Sequence, residues 1–136
     1  MMKISSDIEM RMNKNIGIKA ENFFIKLLNE KGITYEFIDD WYDFNILQQK
    51  VDVKSTQLSV KNTGNKSPYR IGRFNFTNQQ RECVDLWYAL VLRFYGEFMF
   101  LGFVHNEDIQ TKYLTLHQLR QIKIYTLDEW LKKYNK

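Results

Sequence analysis

Two nearly uninterrupted apolar runs, Leu86–Phe94 and Phe98–His105, flank Gly96-Glu97. A strand with one face in water alternates apolar and polar residues, and these runs do not alternate. They are expected to form a buried β-hairpin in the centre of a sheet. The rest of a 136-residue chain then has to cover both faces of that hairpin, which a single domain of this length can do.

The segments available as cover are short. Ile16, Ala20, Phe23, Phe24, Leu27 and Leu28 recur at helical spacing and predict a helix over 15–31, with Asn15 as N-cap and Gly32 just past its end. Glu21 lies at the border of that apolar stripe. Three runs with strand character follow: Ile33–Ile38, Trp41–Leu47 and Val51–Leu58. Asp39-Asp40 separates the first two, and Gln48-Gln49-Lys50 makes a hairpin-length gap between the second and third. Asn62–Pro68 has turn composition and reads as a loop. Tyr69–Phe76 alternates like a strand, Thr77–Asp85 reads as a helical turn, and Leu127–Tyr134 as a closing helix. Thr126 and Glu129 before and within that helix have the form of a capping box. The order α-β-β-β-loop-β-α-β-β-α implies an α/β domain with a mixed sheet spanning 1–136.

Composition narrows the classes. Apolar residues make up 44% and charged residues 26%, the balance of a globular chain and not of a disordered one. A single cysteine, Cys83, excludes an internal disulfide and a cysteine-based zinc site. No apolar stretch is long enough to span a bilayer, and Met1–Asn15 lacks the apolar core of a signal peptide. A cytoplasmic location is expected. The net charge is +4, unevenly placed. Lys50, Lys54, Lys61, Lys66, Arg70, Arg73 and Arg81 fall within 32 residues that contain one acid, Asp52. A local positive field of this kind suits a phosphate backbone; a solvated sheet face and loop is the plainer alternative.

The chemistry-bearing residues sit at the start of that segment. Asp43 lies on the second predicted strand, and Asp52 and Lys54 share a face of the third. A tight hairpin would bring the two carboxylates together, where neither ionises comfortably without a cation. Mg²⁺ resolves such a clash, because it takes a few carboxylates together with waters and phosphate oxygens. Lys54 could orient or deprotonate a water, or stabilise charge developing on phosphorus. Glu21 could join the shell, as could the Val53 carbonyl.

The pattern of a helix glutamate, a strand aspartate and then acid-x-Lys on the next strand resembles the PD-(D/E)XK nuclease superfamily. The resemblance covers about Glu21 to Thr56, including Val51-Asp52-Val53-Lys54-Ser55-Thr56, and extends weakly through Tyr69–Val91. Archaeal Holliday junction resolvases and small intron-encoded or restriction-like endonucleases carry similar strands. The family's proline before the aspartate is replaced by Tyr42. The resemblance implies a restriction-endonuclease-like core (α-β-β-β-α-β) whose central mixed sheet is flanked by helices. It implies Mg²⁺-dependent cleavage of branched or duplex DNA, with Mn²⁺ as a possible substitute, by a homodimer or higher homo-oligomer. Glu21, Asp43, Asp52 and Lys54 would be the catalytic residues; Asp43, Asp52, Val53 and Glu21 would hold the metal. Gln79 or Gln80 would be the polar helper some members carry after the next strand.

A structure-selective resolvase is the first expectation. A sequence-specific homing or restriction-type endonuclease is the alternative within the class, and a non-catalytic DNA-binding module is the alternative outside it. Lys61, Lys66, Arg70, Arg73 and Gln79 are the candidate DNA contacts. Asp39 and Asp40 are weaker candidates for the metal aspartate. Tyr69, Phe74 and Phe76 are read as core rather than base-stacking residues. His105 and His117 lack ligand spacing, and Cys83 between acids is not an activated thiol.

Overall fold

The computed structural model describes the backbone of residues 2–38, 40–61 and 69–135, with side chains described for 16–38, 40–59 and 71–135. The apolar runs form β7 (Leu86–Phe94) and β8 (Glu97–His105), an antiparallel pair that reverses at Tyr95 and Gly96 with φ of 51° and 79°. A bulge between Leu90 and Val91 skips one residue of β8. The partner side of β7 is β3 (Gln49–Gln57), which runs parallel to it from Lys50↔Leu86 to Gln57↔Arg93. β1 (Glu36–Phe37) and β2 (Phe44–Ile46) complete a five-stranded mixed sheet in the order β1-β2-β3-β7-β8. The chain is thus a mixed α/β protein.

This arrangement corrects the expected position of the hairpin. β7 is interior, but β8 is an edge strand, and the outer ends of both reach solvent: Phe94 is 42% and Met99 55% exposed. The apolar run in β8 reflects packing on both faces, Phe100 and Phe103 toward the helices and Leu101 and Val104 toward the opposite core.

The helix α1 spans Met2–Glu30 and so starts well before Asn15, which is inside it and not its cap. Its C-terminus is as expected. Gly32 has φ 68°, its N–H donates to Asn29 O, and the Ile33 N–H donates to Leu28 O, which together make a Schellman motif. Ala20, Phe24 and Leu28 point at the sheet and are buried. The second helix against this face is α3 (Leu127–Tyr134), capped by Thr126 and Glu129 in the expected box. Trp130 is fully buried and stacks on Phe103 with ring centroids 4.3 Å apart. Phe24, Phe44, Val51, Trp87, Ala89 and Phe103 fill the layer between helices and sheet.

Among the described residues the opposite face carries no long helix, which corrects the expectation of a sheet flanked by helices. Its cover is a ribbon of β6 (Arg73–Asn75) with β9 (Tyr113–Thr115), the one-turn α2 (Asn78–Arg81) and short 3₁₀ turns. Phe74, Phe76, Leu86, Tyr88, Leu90, Val104 and Leu114 form its core. Phe74 and Phe76 are therefore core residues, as read; the Tyr69 side chain is outside the described residues.

The run 69–76 is two strands, not one. β5 (Tyr69–Ile71) pairs with β4 (Ser59–Lys61) in its own two-stranded sheet, and the chain breaks at Gly72 before β6. The break has a steric cause. A Cβ on Gly72 would sit 1.7 Å from the Gln57 carbonyl oxygen and 2.7 Å from Thr56 Oγ1. Only glycine lets this backbone cross the end of β3 so closely. The Gly72 N–H donates to Leu58 O and its carbonyl accepts from Leu116, so the crossing is tied on both sides.

Candidate functional site

The site is built on the β2–β3 hairpin. Its register, Phe44↔Val51, Asn45↔Lys50 and Ile46↔Gln49, places the two-residue turn at Leu47-Gln48, one residue earlier than the expected Gln48–Lys50. Both turn residues have positive φ, 50° and 67°, the conformation whose twist matches the strands of a tight hairpin. Phe44, Ile46 and Val51 face the helices and are buried. The alternate residues face the other way, so Asn45, Lys50, Asp43 and Asp52 share the second face.

Asp43 is one residue outside β2, where the ladder ends. Its N–H still donates to Val51 O at 3.2 Å, while its carbonyl turns away to accept from Ile38 at 2.7 Å. Its side chain supplies the next acceptor along β3: the Val53 N–H donates to Asp43 Oδ2 at 2.7 Å. Continuing the register puts Asp43 opposite Asp52, and the two carboxyl groups are near enough for each to act on the other's ionisation. Lys54 is two residues along on the same face, its Nζ 3.3 Å from Asp52 Oδ2. Glu21 lies on the flank of the buried α1 stripe, half-buried, and meets the Asp43 carboxyl by charge and hydrogen bond.

The structure thus brings all four residues, Glu21, Asp43, Asp52 and Lys54, into one chain of contacts. Its electrostatics are strained. Burial, and after it the Glu21 charge, pushes Asp43 up to about 6 against the lowering effect of the Val53 N–H. Burial together with the Asp43 charge pushes Asp52 up to about 7, although Lys54 pulls it down. One ammonium does not neutralise a buried carboxylate pair with a third carboxylate beside it. Among the described residues no three His, Cys, Asp or Glu side chains are placed to hold a metal ion by themselves. The donor set therefore suits a cation that takes two carboxylates from protein and the rest from backbone carbonyl, water and phosphate oxygen. Mg²⁺ binds in that way.

The flanks of the site are formed by neighbouring rows. Toward the hairpin turn, a groove of about 610 Å³ is lined by Tyr42, Asn45, Gln48 and Lys50 among others. The Tyr42 hydroxyl donates to Asn45, and Lys50 Nζ is 3.5 Å from Asp85 Oδ1. In the other direction, beyond Lys54, β3 runs under the Gly72 crossing. On the β7 side Asp52 is opposite Tyr88, whose hydroxyl is pushed to high pKa by burial and then by the Asp52 charge.

Of the candidate DNA contacts, Arg73 and Gln79 have described side chains. Arg73 is half-buried, with its guanidinium 4.5 Å from the Tyr113 ring centroid. Gln79 is exposed on α2. Lys61 and Arg70 pair across β4–β5 in neighbouring positions, but their side chains are outside the described residues, as are Lys66, Asp39 and the loop 62–68. Asp40 is exposed, and its N–H donates to Ile38 O. The Cys83 thiol donates to Asp85 and is pushed up by burial and by that contact, so it is no nucleophile at neutral pH.

Sequence reasoning left Gln79 and Gln80 unseparated, and the structure separates them. Gln80 is buried, and its Nε2 donates to Trp41 O at 2.8 Å. Thr77 and Gln80 form a capping box on α2. The Thr77-x-x-Gln80 spacing was the available signal for that buried role. Asn106 was missed; it is buried, accepts from Tyr88 and donates to the Gln80, Arg81 and Cys83 carbonyls. A polar residue just past a long apolar strand carries no local mark of such a role. No protein-family model matches the chain, and comparison with curated proteins and with solved structures gives no match.

Proposed function

We propose that this chain is a divalent-metal-dependent endodeoxyribonuclease of PD-(D/E)XK type, cutting DNA phosphodiester bonds and selecting branched structures such as four-way junctions. The observation that carries the reading is the contact between the buried Asp43 and Asp52 carboxyls with Lys54 3.3 Å from Asp52. A pair of buried like charges is a cost to the fold, present here at the edge of the most basic stretch of the chain, which contains Asp52 and begins seven residues after Asp43. A DNA-binding module gains nothing from carboxylates that repel phosphate, whereas a hydrolase needs them.

Asp43 and Asp52 would hold Mg²⁺ or Mn²⁺, with Glu21 and the Val53 carbonyl as further donors. When bound, the metal supplies neutralisation of phosphate charge and a more acidic water. The chain's own groups do the rest. The Val53 N–H fixes one oxygen of Asp43 and leaves the other for the site. Lys54, held beside Asp52 and only 18% exposed at its side chain, is placed to orient the attacking water or to stabilise charge on the phosphoryl oxygens. The order α1, β1–β3, α2 and then β7 parallel to β3 supports the core that the resemblance implies. β4, β5 and β6 are inserted before α2, and the second face is covered by strands.

The test uses a labelled four-way junction and a linear duplex of matched sequence, each with Mg²⁺ or EDTA. The reading predicts cutting only with Mg²⁺ and in favour of the junction. Equal cutting of both would move the protein to the duplex-cutting alternatives. Binding of either DNA without cutting would favour the non-catalytic module, and absence of both binding and cutting would overturn the DNA reading.

A further inference from the structure

We propose that Gln80 is a positioning residue for the Asp43 carboxylate, acting through its grip on the Trp41 carbonyl. The inference rests on the reading of Asp43 and Asp52 as the catalytic pair.

Asp43 is the acid least secured by the sheet. Asp52 is inside β3 and paired with Tyr88 of β7, whereas Asp43 lies beyond the end of β2 at the close of a bend over 40–42. Between Ile38 and Phe44, the described ties on this segment are few. The Asp43 N–H and carbonyl make one hydrogen bond each, its carboxylate accepts from the Val53 N–H, and the Tyr42 hydroxyl meets Asn45. A further tie, the one that reaches this segment from α2, is the Gln80 amide on Trp41 O, two residues before Asp43, at 2.8 Å. Gln80 is 4% exposed, so water does not replace that donor if it is removed.

Gln80 is itself anchored to the strand that carries Asp52's neighbour. Its backbone carbonyl accepts from Asn106 Nδ2 at 2.9 Å, and Asn106 Oδ1 accepts from the Tyr88 hydroxyl at 2.8 Å. Tyr88 is the register partner of Asp52. A buried frame of hydrogen bonds thus runs from beside Asp52, through Tyr88, Asn106 and Gln80, to the segment presenting Asp43. It sets the spacing of the two acids independently of the β2–β3 ladder. Outer partners of this kind typically change metal affinity or activity by about 10–100-fold when removed.

The test compares Gln80→Met, similar in length but without a donor, with Thr126→Ala, which loosens the remote α3 cap. Amide exchange of Val53 reads the Asp43 side chain directly, because the Val53 N–H is bonded to it; Ala89 on β7 reads global stability. In Gln80→Met, Val53 should exchange roughly 10-fold faster while Ala89 keeps its wild-type rate. Thr126→Ala should not produce that split. In the cleavage assay kcat should fall roughly 10–100-fold with KM within about 3-fold. Unchanged Val53 exchange, or a parallel rise at Val53 and Ala89, would overturn the proposal. If wild type cuts no DNA, the nuclease reading fails, and the Val53 result still decides whether Gln80 positions Asp43.

Discussion

At the residue scale, the site is a conflict between burial and charge. Asp43 and Asp52 titrate well above a free aspartate, toward 6 and 7, because burial disfavours ionisation of both, with the Glu21 charge adding at Asp43 and the Asp43 charge at Asp52. An acid whose folded pKa is raised takes up protons on folding, so its contribution favours the fold below the unfolded value of about 4 and is lost as pH rises through the folded value. Without divalent metal, wild type should therefore lose stability between about pH 4 and 7 relative to Asp52→Asn, which cannot ionise there. Thermal melts of the two across that range should show a gap that opens with pH in favour of the variant. Mg²⁺ should raise the midpoint of wild type at pH 8 and leave Asp52→Asn unmoved. A gap that is flat with pH would remove the buried carboxylate pair from the account.

Much of this was legible. Spacing alone put Asp52 and Lys54 on one face and Asp43 on the preceding strand, because period-2 alternation is a local property. Glu21 was legible as a residue at the border of a helix stripe. The side chain of Asp43 accepting from the Val53 N–H beyond the end of the ladder was not, since it depends on where β2 stops pairing. Nor was the Tyr88–Asn106–Gln80 frame, whose members meet only after β7 and α2 have docked.

At the element scale, two backbone positions test the fold around the site. Gln48 holds φ 67° in the hairpin turn and is exposed. Left-handed conformation costs a non-glycine residue about 1–2 kcal/mol, part of which glycine gives back in unfolded-chain entropy. Gln48→Gly should raise stability by roughly 0.5–1 kcal/mol in urea titration. Gly72→Ala should do the reverse. Its Cβ would meet backbone, not a side chain that can swing away, so a loss of about 2–3 kcal/mol or more is expected in the same experiment. The broken strand at Gly72 was read as continuous because Tyr69–Phe76 alternates throughout; the alternation persists, but its two halves serve different sheets. The N-terminal extent of α1 was also missed: Met1–Asn15 was read as polar, although Ile4, Ile8 and Met12 lead into Ile16 at helical spacing.

At the scale of the whole molecule, the two faces of the sheet have different tasks. The face under α1 and α3 is packed by large aromatics, Phe24, Phe44, Phe103 and Trp130. Truncating Trp130 to Ala should cost about 3–5 kcal/mol of stability by chemical denaturation, without changing the site's metal requirement. The opposite face is apolar at one end and carries Asp43, Asp52 and Lys54 at the other, open beside the groove at Lys50. No described helix is long and apolar enough to cross a membrane. The order of the expected elements implied an α/β domain with a mixed sheet, and the mixed sheet is present. The edge placement of β8 was hidden, because an apolar run reports burial on two faces and not pairing on two sides.

The central claim is that Asp43 and Asp52 with Lys54 make up a metal-dependent phosphodiesterase site. The most direct measurement is the rate of strand cutting on a four-way junction at saturating Mg²⁺ by wild type, Asp52→Asn and Lys54→Ala, each shown to be folded by its melt. The account predicts cutting by wild type that EDTA abolishes, and a loss on the order of 10²-fold or more in each variant. Cutting that survives in Asp52→Asn, or that proceeds in EDTA, would contradict it.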